Sequence, residues 1–383
     1  MAMDFSLTPD QLDLQAAVIR FAERELADDV PRRDATGEFS RALWQKCAAF
    51  GIQGLPIPEA YGGGGVDALT TLIALEALGY ACRDNGLLFS LNAQMWSCEL
   101  PLWKFGSEEQ KRRYLPRLCD GTLIGVQAMT EPMSGSDAFG LRTTARRTDA
   151  GYVISGSKTF ITNAPVADIF LVFARTDPAK GFAGLSAFIV ERNTPGLSVG
   201  GPTHKMGLRT SPMGELSLDG CVVPDANLLG APGAGSTIFT VSMDWERTCI
   251  LATAVGTMQR QLERCVAYAK ERTQFGQPIG RFQAVSHKVA DMKVRLETAR
   301  LLLYKVGWLK AQGRRTAVES AMVKLYLSEC FMASSLDAVQ IHGGYGYTAE
   351  YEFERELRDA VGSRLYSGTS EIQRNIIAGG LGL

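Results

Sequence analysis

Two stretches of the chain carry side chains whose types and spacing could do chemistry. The first is Gln127-Ala-Met-Thr-Glu-Pro-Met-Ser-Gly-Ser-Asp137. An apolar run from Thr122 to Met129 reads as a buried strand leading into it, and Pro132 and Gly135 then break regular structure. Ser134, Gly135 and Ser136 offer hydroxyls and amides. Glycine allows φ > 0 and blocks nothing, so such a loop can bring N–H groups close to an anion. Thr130 adds a hydroxyl able to bond a planar polar ring. A plain polar corner between strand and loop would read the same way, so the loop alone leaves both readings open. The second stretch is Ser242-Met-Asp-Trp-Glu-Arg247. At helical spacing Glu246 shares a face with Phe239, Ser242, Cys249, Ile250 and Thr253, and an acid on a stripe of small and apolar residues is unusual for a solvated face. A carboxylate buried there would have a raised pKa and could act as a base near neutral pH.

The elements that must position these groups fall into three blocks. Thr8-Pro-Asp-Gln11 reads as the capping box of a first helix with the stripe Leu12, Ala16, Ile19, Ala22 and Leu26. Ser40 caps a second helix that stops at Gly51. Val66–Tyr80, Asn85–Lys104 and Ser107–Leu118 continue as helices, the last with a second capping box at Ser107 and Gln110. The glycines at 62–65 precede no Lys-Ser/Thr and read as a loop spacer, not a phosphate cradle. From Thr122 short β-rich runs alternate with turn residues: Leu123–Met129, Arg142–Arg147, Tyr152–Ser155, Ile169–Ala174, Leu185–Val190 and Leu216–Leu218. From Ser236 the helical period returns over Ser236–Arg272, Gln283–Gln312, Thr316–Ile341 and Ser370–Gly379, and three of these are long enough for an antiparallel bundle. The expected fold is α+β and mostly α: an N-terminal helical domain (1–121), a middle antiparallel β domain (122–232) and a C-terminal helical bundle (233–383).

Composition narrows the function. The net charge of −1 gives no electrostatic reason for a nucleic-acid or anionic-membrane partner. No apolar run approaches the length of a membrane span, and Met-Ala-Met-Asp-Phe-Ser lacks the basic and apolar segments of a leader. The eight cysteines are scattered with no Cys-x-x-Cys pair, and read as buried free thiols of a cytoplasmic protein. His204, His287 and His342 lie far apart, so no metal site is expected.

A third stretch, Gln340-Ile-His-Gly-Gly-Tyr-Gly-Tyr347 followed by Glu350, Arg355 and Asp359, changes the weight of the first. The two together, in this order, resemble the paired fingerprints of the acyl-CoA dehydrogenases over essentially the whole chain. The resemblance implies FAD held between the β domain and the C-terminal bundle. It places the Gln127–Gly135 loop at the cofactor, with the Met129 backbone and Thr130 hydroxyl at the flavin ring and Ser136 at the pyrophosphate and substrate. Lys158-Thr-Phe-Ile-Thr-Asn163 matches a motif that sets an aromatic residue and a threonine beside the ring, here Phe160 and Thr162. The family usually has Trp at the aromatic position, and ordinary β-core packing is the other reading of Phe160. Arg272-Thr-Gln-Phe275-Gly resembles a turn whose Arg and Phe reach FAD bound mainly by a neighbouring subunit. Gln340, Gly343 and Gly344 match further positions of that kind, and Gln283, Thr369 and Glu371 match other cofactor positions. A homotetramer follows by resemblance, with electron-transfer flavoprotein or another acceptor as redox partner.

The family removes the α proton of an acyl thioester with a base while the β hydrogen leaves as hydride. In many members a glutamate directly before Gly-Thr is that base, but here Leu365-Tyr-Ser-Gly-Thr-Ser370 puts Ser367 in the place. Glu246 resembles the isovaleryl-CoA dehydrogenase arrangement, in which the base sits on the earlier helix, and Asp244 and Arg247 match positions near the thioester chain. Arg247 is expected to pair with Asp244 at i−3, and Ser367 to do no more than fill space. The motifs Ser-Met-Asp-Trp-Glu-Arg, Asn163-Ala-Pro-Val-Ala-Asp168 and Gln283-Ala-Val-Ser-His287 look like those of biosynthetic members that oxidise prolyl or other acyl groups on carrier proteins. The alternatives are a short- or branched-chain acyl-CoA dehydrogenase of catabolism, and a flavin oxidase or monooxygenase on the same fold.

Overall fold

The computed structural model describes residues 6–383; the expected absence of a leader concerns Met1–Phe5, which lie outside the described residues. Helix α1 (Pro9–Glu25) opens with the expected capping box, Thr8 and Gln11 each accepting from the other's backbone N–H. A short α2 (Val30–Thr36), capped by Asp29, was not foreseen. Helix α3 (Arg41–Phe50) runs from the Ser40 cap to Gly51, whose φ of 93° ends it in the left-handed conformation. Helix α4 (Ala68–Ala81) starts two residues later than its apolar run because Asp67 caps it. The single helix expected over Asn85–Lys104 is three pieces: α5 (Asn85–Gln94), a five-residue π-helical turn at Met95–Glu99, and α6 (Leu100–Phe105). Pro101 has no N–H and would clash with the carbonyl four residues back, so the widened turn absorbs it. Helix α7 (Glu108–Cys119) carries the second capping box.

The middle part is a sheet of strands β1 (Gly125–Ala128), β2 (Thr144–Thr148), β3 (Gly151–Thr162), β4 (Ile169–Arg175), β5 (Leu185–Glu191), β6 (Leu197–Val199), β7 (Met213–Val223) and β8 (Leu228–Leu229). Their order is β6-β7-β3-β2-β4-β5-β8, with β1 beside β4. The sheet is mixed, not purely antiparallel as expected: β1 runs parallel to β4 from Gly125↔Ile169 to Ala128↔Val172, and β2 meets β4 in parallel at Thr144↔Arg175. Residues Ile169–Ala174 of β4 are all buried, the continuous apolar run of a strand covered on both faces. Tyr152–Ser155 and Lys158–Thr162 prove to be one long strand, β3, whose pairing to β7 slips between Ile154 and Gly156 and again between Lys158 and Ile161.

The C-terminal part holds α8 (Gly235–Cys249), α9 (Ala252–Glu271), a small hairpin of β9 (Thr273–Gln274) and β10 (Gln277–Pro278), then α10 (Gln283–Ala311), α11 (Ala317–His342), α12 (Phe353–Gly362) and α13 (Ser370–Gly380). The helix expected over Ser236–Arg272 breaks at Ile250–Leu251, so Glu246 lies in the last turn of α8. The N-terminal helices and the bundle are locked by α4 crossing α9. A Cβ on Gly79 would stand 1.9 Å from the Thr253 carbonyl oxygen, and one on Gly256 would stand 2.0 Å from that of Glu76. Only glycine permits this approach. One apolar core runs through the helices and one face of the sheet; a second fills the space between α6, α7 and the other face of β4 and β5. All eight cysteines are buried and unpaired. Among the described residues no helix is long and apolar enough to cross a membrane, and no cluster of three metal-binding side chains occurs.

Candidate active site

Glu246 is buried where three segments meet. Ser97, in the π-helical turn, donates its hydroxyl hydrogen bond to one carboxylate oxygen, and Ser367 donates to the other. Burial raises the pKa of this carboxyl group; the hydroxyls of Ser367 and Ser97, then the charges of Arg247 and Lys324, act against that rise. Ser367 therefore does more than fill space. Positions 246 and 367, far apart in the chain, meet here side chain to side chain. The widened turn that brings Ser97 to Glu246 fits the tendency of π-bulges to occur at functional sites.

Glu246 opens on a cavity of about 670 Å³. Of the residues singled out in the sequence, Gln127, Met129, Thr130, Gly135, Ser136, Phe160, Thr162, Arg247, Ser367 and Thr369 line the same cavity. The loop from β1 is fastened beneath it by a buried ion pair. Lys158 Nζ donates to the Met129 carbonyl (3.0 Å) and to Glu131 Oε1 (2.9 Å), and Glu131 also accepts from the backbone N–H groups of Arg142 and Thr143. Burial pushes the Glu131 carboxyl up, but the hydrogen bond and charge of Lys158, with the Thr143 hydroxyl and the Arg142 N–H, pull it the other way and the net direction is down. Burial pushes the Lys158 ammonium down to about 8, with Glu131 pulling the other way.

Phe160 is not a core residue. It sits at the second register slip of β3 with φ 57°, and 63% of its surface is exposed at the cavity. A left-handed backbone is strained for a bulky residue, and here the strain turns an apolar ring out of the sheet and into the cavity. The same cavity is lined by Phe89 and Tyr366, whose ring centroids lie 4.5 Å apart.

Other expected site residues lie elsewhere. Asp244 is not at the cavity and forms no ion pair with Arg247 among the described residues. It accepts from Lys310 Nζ (2.9 Å), Ser320 Oγ (2.5 Å) and Thr316. Although Arg247 is only three residues away, α10 and α11 pack on Asp244 and bring it a lysine and two hydroxyls. Asp244, expected near the thioester chain, is thus held outside the cavity that Glu246 lines. Arg247 turns the other way, with Nε donating to the Ser367 carbonyl at 3.3 Å. Arg272, Gln283, Gln340, Gly343, Gly344 and Glu371 are exposed on this chain and outside the cavity. Phe275, at the tip of the β9–β10 hairpin, is 93% exposed with φ 51°. Sequence reasoning missed Ser97, Tyr366 and Lys324. Lys324 could have been found as Glu246 was, as a charge on a helical face with Ala321, Leu327, Ser328 and Phe331.

A helical–β–helical chain with a buried, hydroxyl-bound carboxylate over a cavity edged by Thr130, Thr162 and a strained aromatic ring defines a class: oxidoreductases that take a proton and a hydride from one substrate. The profiles of the acyl-CoA dehydrogenase N-terminal, middle and C-terminal domains match residues 8–122, 126–221 and 233–382. The chain belongs to the acyl-CoA dehydrogenase family. It is 44% identical over 381 residues to an L-prolyl peptidyl-carrier-protein dehydrogenase of a Serratia species, covering 100% of this chain and 99% of that one. Among solved structures it resembles the prolyl acyl carrier protein oxidase AnaB at 49% identity and TM-score 0.98, covering 99% and 100% of the two chains. It also resembles PigA with FAD and proline at 43% identity and TM-score 0.97, covering 100% of both.

Proposed function

We propose that this chain is an FAD-dependent dehydrogenase of a carrier-protein-bound acyl thioester, with a prolyl group as substrate and Glu246 as base. The observation that carries the proposal is the shared cavity, where Glu246 faces the same space as Met129, Thr130, Phe160 and Thr162. The residues present fit a flavin. Phe160 offers an apolar face, Thr130 and Thr162 offer hydroxyls for a polar ring edge, and a Cβ on Gly135 would meet nothing within 4 Å, which leaves the loop open to a phosphate. When bound, FAD supplies the acceptor for the β hydrogen. The protein's part is to remove the α proton. Ser97 and Ser367 fix the carboxylate of Glu246, the Arg247 cation beside it favours its ionised form, and Phe89 and Tyr366 wall the cavity with apolar surface.

The exposed Arg272, Phe275, Gln283, Gln340, Gly343 and Gly344 support the reading that a neighbouring subunit's FAD completes its site here, within a homotetramer. Arg272→Ala is expected to weaken FAD retention by about 1.5–3 kcal/mol, the range for a hydrogen bond to a charged group. Equilibrium dialysis measures it, and a fully flavin-loaded active monomer in sedimentation would contradict it. We further assign the chain to the cytoplasm, with domain limits at 121 and 232.

The substrate is tested by comparing a carrier-bound prolyl thioester with its CoA counterpart while following flavin reduction. The carrier form is expected to give the higher kcat/KM, because the carrier's surface adds binding energy that CoA cannot. Equal or higher kcat/KM with the CoA thioester would favour ordinary acyl-CoA oxidation. Oxygen uptake during turnover separates an oxidase from an enzyme that passes electrons to electron-transfer flavoprotein.

A further inference from the structure

Lys324, in α11, is fully buried, and among the described residues no carboxylate stands within ion-pairing distance of it. An ammonium buried without an ion-pair partner is costly, so its position calls for a reason. Its Nζ donates to the Gly368 carbonyl at 2.7 Å. Gln373 Nε2 donates to the same oxygen at 2.8 Å and to the Ser367 carbonyl at 3.1 Å, while Arg247 Nε reaches the Ser367 carbonyl from the other side. Ser367 and Gly368 are consecutive left-handed residues, with φ of 57° and 87°. That conformation is unfavourable for serine. It is held because three donors from α8, α11 and α13 seize the two carbonyls of the turn. The result is that the Ser367 hydroxyl is aimed at Glu246.

We propose that Lys324 is a positioning residue for Glu246, acting through the Ser367–Gly368 turn that it clamps. The inference rests on Glu246 being the base. The groups facing Glu246 are Arg247 on its own helix, Lys324 on α11, Ser97 on the π-helical turn, and Ser367 and Tyr366 on the clamped segment. Those facing Lys324 are Arg247, Glu246, Glu329 and Glu371, with the Tyr366 ring 5.9 Å away. Burial and then Arg247 push Lys324 down to about 7, while the three carboxylates pull it up. Removing the clamp loosens a hydroxyl that favours the ionised base and removes a cation that does the same, so both losses raise the pKa of Glu246.

The test uses the flavin-loaded enzyme and two readouts. One is the acid limb of the pH profile for flavin reduction; the other is the infrared carboxyl stretch of Glu246 against pH, assigned by its loss in Glu246→Gln. Lys324→Met and Ser367→Ala are each expected to move both readouts to higher pH by about one unit. The double variant is expected to move less than the sum, because the two act through one turn. Lys324→Gln keeps a donor for the Gly368 carbonyl without the charge and is expected to fall between wild type and Lys324→Met; if the Met variant does not fold, the Gln variant with Ser367→Ala completes the cycle. Unmoved readouts, full additivity, or a Gln variant as shifted as the Met variant would overturn the proposal. If flavin reduction survives in Glu246→Gln, it is the assignment of the base that fails. If Glu246→Gln is inactive but the Lys324 variants titrate as wild type, the clamp alone fails.

Discussion

Glu246→Gln is expected to slow substrate-driven flavin reduction by at least ~10²-fold, the lower range for loss of a general base, while flavin binding and spectrum persist. Glutamine keeps the shape of the side chain. Its amide oxygen can accept from one serine, and its NH₂ can donate to the other, since a hydroxyl both donates and accepts. The cavity wall should therefore stand, and the loss should fall on the proton step. Burial holds the pKa of Glu246 above its ordinary value of 4.5, and the base works only when ionised. Activity should accordingly fall as pH drops through that raised value, at a higher pH than a solvated carboxylate would give. The same shift makes a stability prediction. A carboxyl group whose folded pKa is raised binds its proton more tightly in the folded state, so at pH above the unfolded value its ionisation costs stability. Glu246→Gln should raise the Tm near neutral pH, with the gain vanishing below about pH 4, where the group is protonated in both states. Near-normal flavin reduction by this variant would mean the base lies elsewhere.

Lys158→Met should strongly destabilise the protein, because this β3 lysine fastens the loop that follows β1. It leaves Glu131 buried without its cation and the Met129 carbonyl without its donor. Removing one partner of a buried pair costs about 3–5 kcal/mol, measurable by urea denaturation, and the loosened β1 loop should retain flavin poorly. The sign with pH is fixed by Glu131, whose folded pKa lies below its ordinary 4.5. Its pairing contributes stability at pH above the unfolded value, and that contribution is lost as pH falls through the folded value. The gap between variant and wild type should thus be smaller in acid than near neutral pH. Lys158→Met with Glu131→Gln should recover much of the loss, because replacing both members removes the stranded charge. A single variant as stable as wild type would show that the backbone N–H groups of Arg142 and Thr143 and the Thr143 hydroxyl suffice to hold Glu131.

Local chemistry in the sequence determined the order of the three parts, both capping boxes, the Ser40 and Gly51 helix limits, the loop after β1 and the acid on the apolar face of α8. Caps, breakers and periodicity act within a few residues, so they can be read along the chain. The π-helical turn at Met95–Glu99, the parallel seat of β1 and the bulge at Phe160 were not legible in this way. Each depends on what packs against it: the carbonyl that Pro101 would strike, the second covered face of β4, and the slipped pairing of β3 with β7. The same limit explains the reading of Asp244 and Arg247 as partners. Helical spacing made them neighbours, but only the packed bundle brought Lys310 to one and the Ser367 carbonyl to the other. Sequence determined that a carboxylate would be buried on α8. Tertiary structure alone decided that serines from two distant segments would hold it and that a buried lysine on a third would fix one of them, because a hydrogen bond is set by separation in space and not along the chain.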